Sequence, residues 1–175
     1  MDKRVALLRG INVGRANRVA MAELRELATE LGLTDVATHL QSGNLIYGSA
    51  ATPAEDQTLL TAALTERFGF EIPVVVTDRE TVTRVLAEHP FADDDPKSVH
   101  VGFASGPLPD TLLDDLVALA REWERFEVRG DVLFADFGGR VHDSRVANKL
   151  ARLVSPGFIT LRNLTTVRAI AEKLG

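Results

Sequence analysis

The 175 residues are 45% hydrophobic with a net charge of −5, enough apolar material for a substantial core in one domain or in two small, closely packed halves. The absence of cysteine excludes disulfides, thiol nucleophiles and thiolate metal sites. No apolar run approaches membrane-spanning length, and the first apolar stretch is too short for a secretion signal, so the sequence predicts a soluble, cytoplasmic protein with no membrane partner.

Val5-Ala6-Leu7-Leu8 predicts a short buried strand, and Met21, Leu24, Leu27, Ala28 and Leu31 recur at helical spacing until Gly32 ends the pattern. Two strand-like runs, 36–40 and 45–47, flank Gly43-Asn44, a two-residue hairpin signal. After Pro53 the stripe Leu59, Leu60, Ala63, Leu64, Phe68 predicts a second helix, and 72–76 a fourth strand. This βαββαβ order is that of the ferredoxin-like unit.

A connecting helix, roughly 79–88, and the acidic loop Asp93-Asp94-Asp95-Pro96 lead to a second passage through the same order. Val99, Val101 and Phe103 alternate as a strand, and Leu112, Leu113, Leu116, Leu119, Ala120 and Trp123 form a helix stripe. The runs 126–128 and 132–134 flank Gly130-Asp131, again a two-residue hairpin signal. Val146, Leu150, Leu153 and Val154 mark a helix, 158–161 a strand, and Val167, Ile170, Ala171 and Leu174 a closing helix. The expected fold is α+β: two tandem ferredoxin-like βαββαβ units, an internal duplication in pattern rather than residue identity. The halves fall at 1–78 and 98–175, with 79–97 connecting them. No Pro/Gly/Ser-rich linker separates them, which predicts one compact protein.

The mean charge conceals an uneven distribution. Residues 1–18 hold five Lys/Arg against one acid, residues 140–175 seven against two, and the stretch between them eight against twenty-two. Such charges commonly decorate solvated faces. If the basic ends met, they would instead form a positive patch for an anionic partner.

Topology identifies the candidate site. A right-handed crossover makes the first two strands of a βαββαβ unit point the same way, so the loop after strand one and the hairpin after strand two emerge at one edge. In the first half these are Arg9-Gly10-Ile11-Asn12-Val13-Gly14 with Asn17 and Arg18, and Gln41-Ser42-Gly43-Asn44. Gly10 and Gly14 bracket a loop whose backbone N–H groups could face an anion, although the spacing is neither a dinucleotide fingerprint nor a P-loop. Arg9 and Arg18 supply charge, and Gln41, Ser42 and Asn44 supply amide and hydroxyl groups that can read the edge of a ligand. The competing explanation is turn chemistry: glycines for backbone freedom, and Asn12 bonding its own turn.

Elsewhere the signals are structural. His142-Asp143-Ser144 contains the residue types of a hydrolase triad, but sequence neighbours do not form that relay, and Asp143 or Ser144 suits a helix N-cap. His39, His89, His100 and His142 lack metal-ligand spacing, and Asp93-Asp94-Asp95 lacks the glycine and distal glutamate of a calcium loop, so neither a metal nor a cofactor is expected. An RNA-reading sheet stacks bases on central aromatics, and in the first half only Tyr47 is available, with Phe103 and Phe134 core candidates in the second. Nucleic acid would then bind through loops and the basic ends, including Arg145, Lys149 and Arg152. Catalysis ranks last, because no general base has a plausible partner.

The anchors Leu8-Arg9-Gly10-Ile11-Asn12-Val13-Gly14, Asn17-Arg18-Val19, 21–25, Leu40-Gln41-Ser42-Gly43-Asn44, and Leu161-Arg162-Asn163 with Thr166-Val167 run the length of the chain in order. Together they resemble the bacterial family known as domain of unknown function 1697. The resemblance implies a small cytoplasmic α+β protein without an established activity. The family pattern usually continues Gly14 with a second glycine and a lysine, where this chain has Arg15 and Ala16, and places tryptophan where it has Leu164. Arginine brings a planar fork rather than a point charge. The reading is therefore non-catalytic binding of a small anionic or nucleotide-like ligand at Arg9, Gly10, Asn12, Gly14, Asn17, Arg18, Gln41, Ser42 and Asn44. Arg162 and Asn163 are secondary candidates, with Asn163 or Thr165 favoured as a helix cap.

Overall fold

A computed structural model describes all residues from Met1 to Gly175. The protein is α+β, with six helices and two four-stranded antiparallel sheets. It divides into two units, Met1–Thr83 with Ile170–Gly175, and Arg84–Ala169.

Unit 1 contains β1 (Asp2–Leu8), α1 (Met21–Glu30), β2 (Thr34–His39), β3 (Asn44–Ser49), α2 (Pro53–Phe68) and β4 (Val74–Asp78), and α3 (Arg79–Glu88) follows. Its strand order is β2-β3-β1-β4. Val5 is paired with Ile46 on one side and Thr77 on the other, so β1 is central. One sheet face carries Ala6, Leu8, Leu45, Tyr47, Val74 and Val76, which pack with Leu24 and Leu27 of α1 and Leu60 and Leu64 of α2. Each fully buried leucine contributes about 1.5–3 kcal/mol relative to exposure. The helices start where local chemistry lets them: Thr52 and Glu55 form a capping box before α2, Pro53 occupies its first turn, and Gly69 ends it at φ 76°.

A buried ionic cluster stitches α2 to the sheet. Arg4 Nη1 and Tyr47 OH donate to Asp56 Oδ2 at 2.8 and 3.2 Å, and Ser49 Oγ donates to Oδ1 at 2.9 Å. Burial, and then the Asp56 charge, push the Tyr47 phenol well above its ordinary range. Two expectations change as a result. Tyr47 is core and offers no stacking surface, and Arg4, only 5% exposed, is spent on Asp56 rather than on a basic patch.

Unit 2 contains β5 (Val99–Ala104), α4 (Leu112–Leu119), β6 (Arg125–Arg129), β7 (Val132–Asp136), α5 (Arg145–Leu153) and β8 (Ile159–Asn163), with α6 (Leu164–Leu174) closing the chain. The strand order is β6-β7-β5-β8. Leu133, Ala135 and Ile159 pack with Leu112 and Leu116 of α4 and Val146 and Leu150 of α5. Ser144 Oγ caps α5 by accepting from Ala147 N at 3.0 Å, so the His142-Asp143-Ser144 run is a helix start. Trp123 lies beyond α4, whose C-cap is Ala120, and the Arg140 guanidinium stacks 4.6 Å from its ring centroid. The extension of the helix stripe to Trp123 is therefore corrected. No helix is long and apolar enough to cross a membrane.

The two hairpins differ. Gly130-Asp131 makes the expected two-residue turn, with Arg129 opposite Val132. In unit 1 the expected Gly43-Asn44 turn is replaced by the four residues 40–43, with Asn44 already in β3 opposite His39. Leu40 and Gly43 both take positive φ, 62° and 86°, and it is these two positions that reverse the chain.

Candidate functional site

Residues 9–20 connect β1 to α1. Arg9 extends the sheet by one bond, N–H to Pro73 O at 2.9 Å, and Gly10 then turns the chain away at φ 71°. Two apolar side chains hold the loop to the core, Ile11 at 3% exposure and Val19 at 1%. Asn12 closes it. Its Nδ2 donates to Val19 O at 2.9 Å while its Oδ1 accepts from Val19 N at 2.9 Å. Asn17 Nδ2 donates to Gly10 O at 3.1 Å, and Asn12 N to Asn17 O at 3.0 Å. Asn12 and Asn17 sit at φ 53° and 52°, which asparagine tolerates better than most side chains.

The hairpin docks on this loop. Asn12 Nδ2 also donates to Gln41 O at 2.8 Å, and Leu8 N donates to Gly43 O at 2.9 Å. A methyl group at Gly43 would fall 2.7 Å from Ile11 Cδ1 and 2.8 Å from Leu8 Cβ, so only glycine permits the approach. The two polar segments that topology assigns to one edge therefore do meet. Asn44 is fully buried, and its Nδ2 donates to His39 O at 2.7 Å and Ser42 Oγ at 3.3 Å. Its carboxamide shapes the hairpin from inside.

Gly10, Gly14, Asn17, Arg18, Gln41 and Ser42 are exposed, and Arg9 and Asn12 are half-buried. Arg9, Arg15 and Arg18 lie within ten residues of one another in sequence, and no carboxylate pairs with any of them. Arg15 lies in the turn that the Ala16 N to Val13 O bond closes at 3.3 Å. Just beyond, α1 starts at Met21 after the N-cap Ala20, which supplies no side-chain cap. The first turn of α1 carries Glu23, whose carboxylate offsets the positive potential of the first N–H groups. The edge has cations and amides but no paired acid and base.

The remaining candidates lie in unit 2. Arg162, on β8, is 8% exposed and donates to Thr160 Oγ1 at 2.8 Å and Leu161 O at 3.0 Å. Burial pushes its guanidinium down to about 10, which still leaves it cationic at neutral pH. Asn163 Oδ1 accepts from Thr166 N at 2.9 Å, the helix-capping role expected for it. Arg145, Lys149 and Arg152 are exposed on α5. In unit 1 the chain ends do meet, through Lys3 Nζ donating to Lys173 O at 3.4 Å.

The corresponding corner of unit 2 is built differently. Ser105 N donates to Phe158 O at 2.9 Å, matching the Arg9 to Pro73 bond, and Ser105 Oγ accepts from Phe158 N at 2.9 Å. Around it opens a cavity of about 420 Å³ lined by 104–109 and 154–158, without a charged residue. Pattern reasoning gave no hint of this cavity. It also missed the anchoring roles of Ile11 and Val19, which the sequence does not distinguish from the exposed Val13 of the same loop.

A family model described as "Protein of unknown function (DUF1697)" matches residues 1–134. No curated protein matches the chain. Among solved structures, the chain is similar to the conserved bacterial protein SP0830 from Streptococcus pneumoniae, at 23% identity over 99% of each chain and a TM-score of 0.77. At that identity the likeness is one of fold.

Proposed function

The chain belongs to the family described as protein of unknown function (DUF1697), and from that premise we propose that it binds, without catalysis, a small anionic or nucleotide-like ligand at the edge of unit 1. The observation that carries the reading is a loop pinned onto a hairpin, with three arginines that no carboxylate neutralises. In this reading Arg9 and Arg18 hold the charge with Arg15 beside them, as planar forks suited to phosphate or carboxylate. The backbone at Gly10 and Gly14 admits close approach, and Gln41 and Ser42 give direction. Asn12, Asn17 and Asn44 keep the edge in shape. Binding is preferred to catalysis because a general base needs an orienting partner.

We read the scaffold as two tandem ferredoxin-like units with halves at 1–78 and 98–175, a reading supported by the common strand order. A cysteine-free composition supports a cytoplasmic location. Nucleic-acid binding is the second reading, favoured by the exposed Arg145, Lys149 and Arg152 on α5 and opposed by the net charge of −5.

A thermal-shift panel of nucleotides, sugar phosphates, small acids and short oligonucleotides, at low and moderate salt, tests both. A small ligand at about 100 times its Kd adds roughly 2.7 kcal/mol, saturates, and is lost in Arg9→Ala and Arg18→Ala. Stabilisation that survives both substitutions overturns the edge. Stabilisation by oligonucleotides alone, fading steeply with salt and lost in Lys149→Ala, favours the second reading.

A further inference from the structure

Two side chains at the edge are unlike the rest of it. Val13 is 70% exposed and Leu40 55% exposed, two of the four large hydrophobic residues that unit 1 leaves in solvent. They follow and precede the residues of the clasp, Asn12 and Gln41, whose Nδ2 to O bond is 2.8 Å long. Loop and hairpin therefore each carry one exposed aliphatic residue next in the chain to the same contact. Leu40 also holds φ 62°, a conformation for which glycine or asparagine is the ordinary choice. Leucine is not the residue this left-handed backbone favours, and backbone outliers of this kind concentrate at ligand sites.

Resting on the anionic reading of this edge, we propose that its ligand is a nucleoside diphosphate. The base lies against Val13 and Leu40, and the diphosphate faces Arg9, Arg15 and Arg18. Three guanidiniums suit the charge of a diphosphate, and each can take two phosphate oxygens in its fork. The flat, weakly hydrated face of a base suits two aliphatic side chains, and the exposed Gln41 and Ser42, which follow Leu40 in the chain, supply an amide and a hydroxyl for the polar edge of the ring. Val13 and Leu40 thereby become specificity residues, distinguishing a nucleotide from an inorganic anion of similar charge.

The test is calorimetric titration of the whole protein with ADP, GDP, CDP, UDP and inorganic pyrophosphate. At least one nucleotide is expected to bind about tenfold tighter than pyrophosphate, the yield of covering one ring face. The double variant Val13→Ser, Leu40→Asn is expected to erase that advantage and bind pyrophosphate as the parent does. Leu40→Asn alone is expected to raise the melting temperature, because asparagine suits the backbone there, so a loss of nucleotide affinity would not be read as unfolding. Equal affinity for pyrophosphate and all four nucleotides, or an advantage that survives the double variant, overturns this inference while the anionic edge stands. No binding of pyrophosphate or any nucleotide overturns this inference, and the anionic reading then stands or falls on the sugar phosphates and small acids of the thermal-shift panel.

Discussion

The two units share an element order and a strand order, yet they finish the corner beyond their first strand in different ways. Both start it with the same backbone bond, Arg9 N to Pro73 O and Ser105 N to Phe158 O, each 2.9 Å. Unit 1 then spends the twelve residues 9–20 and a four-residue hairpin on a polar, arginine-bearing edge; unit 2 spends the seven residues 105–111, two of them prolines, and a two-residue turn. The sheet ladder fixes where a chain leaves the sheet, and loop length and side chains decide what that exit can bind. The ion pairs differ in depth. Both units pair arginines near the surface, Arg67 with Glu26 and Glu30 in unit 1 and Arg129 with Glu127 and Arg125 with Asp94 and Asp136 in unit 2, but the pair with both partners buried, Arg4 with Asp56, belongs to unit 1.

The sharpest way to break this comparison is to remove charge from each unit. Asp56→Ala leaves Arg4 and Tyr47 buried without their acceptor, and is expected to cost about 3–5 kcal/mol. Glu127→Ala removes half of an exposed pair and is expected to cost less than about 1 kcal/mol. Urea midpoints followed by far-UV circular dichroism separate the two. A loss under 1 kcal/mol for Asp56→Ala would mean that the buried cluster does not hold α2 to the sheet.

The hairpin glycines make the next contrast. At Gly43 a methyl group meets Ile11 and Leu8 below 3 Å at φ 86°, whereas at Gly130, φ 61°, it meets nothing within 4 Å. Gly43→Ala is expected to cost about 3 kcal/mol, from overpacking and left-handed strain together. Gly130→Ala carries strain alone, about 1 kcal/mol. Equal melting temperatures for the two variants would show that loop and hairpin of unit 1 are not in close contact.

These glycines also mark how far the sequence could be read. Apolar periodicity located the helices, which bury one face, and continuous apolar runs located strands such as β1 that are buried on both faces, while topology brought Arg9 and Gln41 to one edge without any contact being known. The Gly43-Asn44 pair misled because the same dipeptide serves a two-residue turn and the end of a four-residue one. The pairing of His39 with Asn44 in the ladder and the burial of Asn44 distinguish them. Arg4 was indistinguishable from its exposed neighbours, since its partner Asp56 lies 52 residues away. Pairing across that separation leaves no local pattern.

Smaller effects are expected where each corner is held by a side chain. Asn12→Ala removes three hydrogen bonds from a left-handed position, for an expected loss of about 2 kcal/mol. Ser105→Ala removes one bond, from Phe158 N, for about 1 kcal/mol. Amide hydrogen exchange at Val19 should accelerate in the first variant and not in the second, because Val19 N–H is bonded to Asn12 Oδ1.

The smallest stability effect is the most informative about function. Arg9, Arg15 and Arg18 contribute no ion pair to the fold, so Arg18→Ala is expected to change unfolding free energy by no more than about 0.5 kcal/mol. If the edge binds an anion, the same substitution abolishes ligand-induced stabilisation, and the two measurements separate completely. Unit 2 supplies the control: Ser105→Ala costs more in stability and nothing in ligand response, because its corner carries no charge for an anion to find. Should Arg18→Ala instead destabilise the free protein by 1 kcal/mol or more, the arginine would be serving the fold after all. The difference between the corners would then be one of loop architecture rather than of binding.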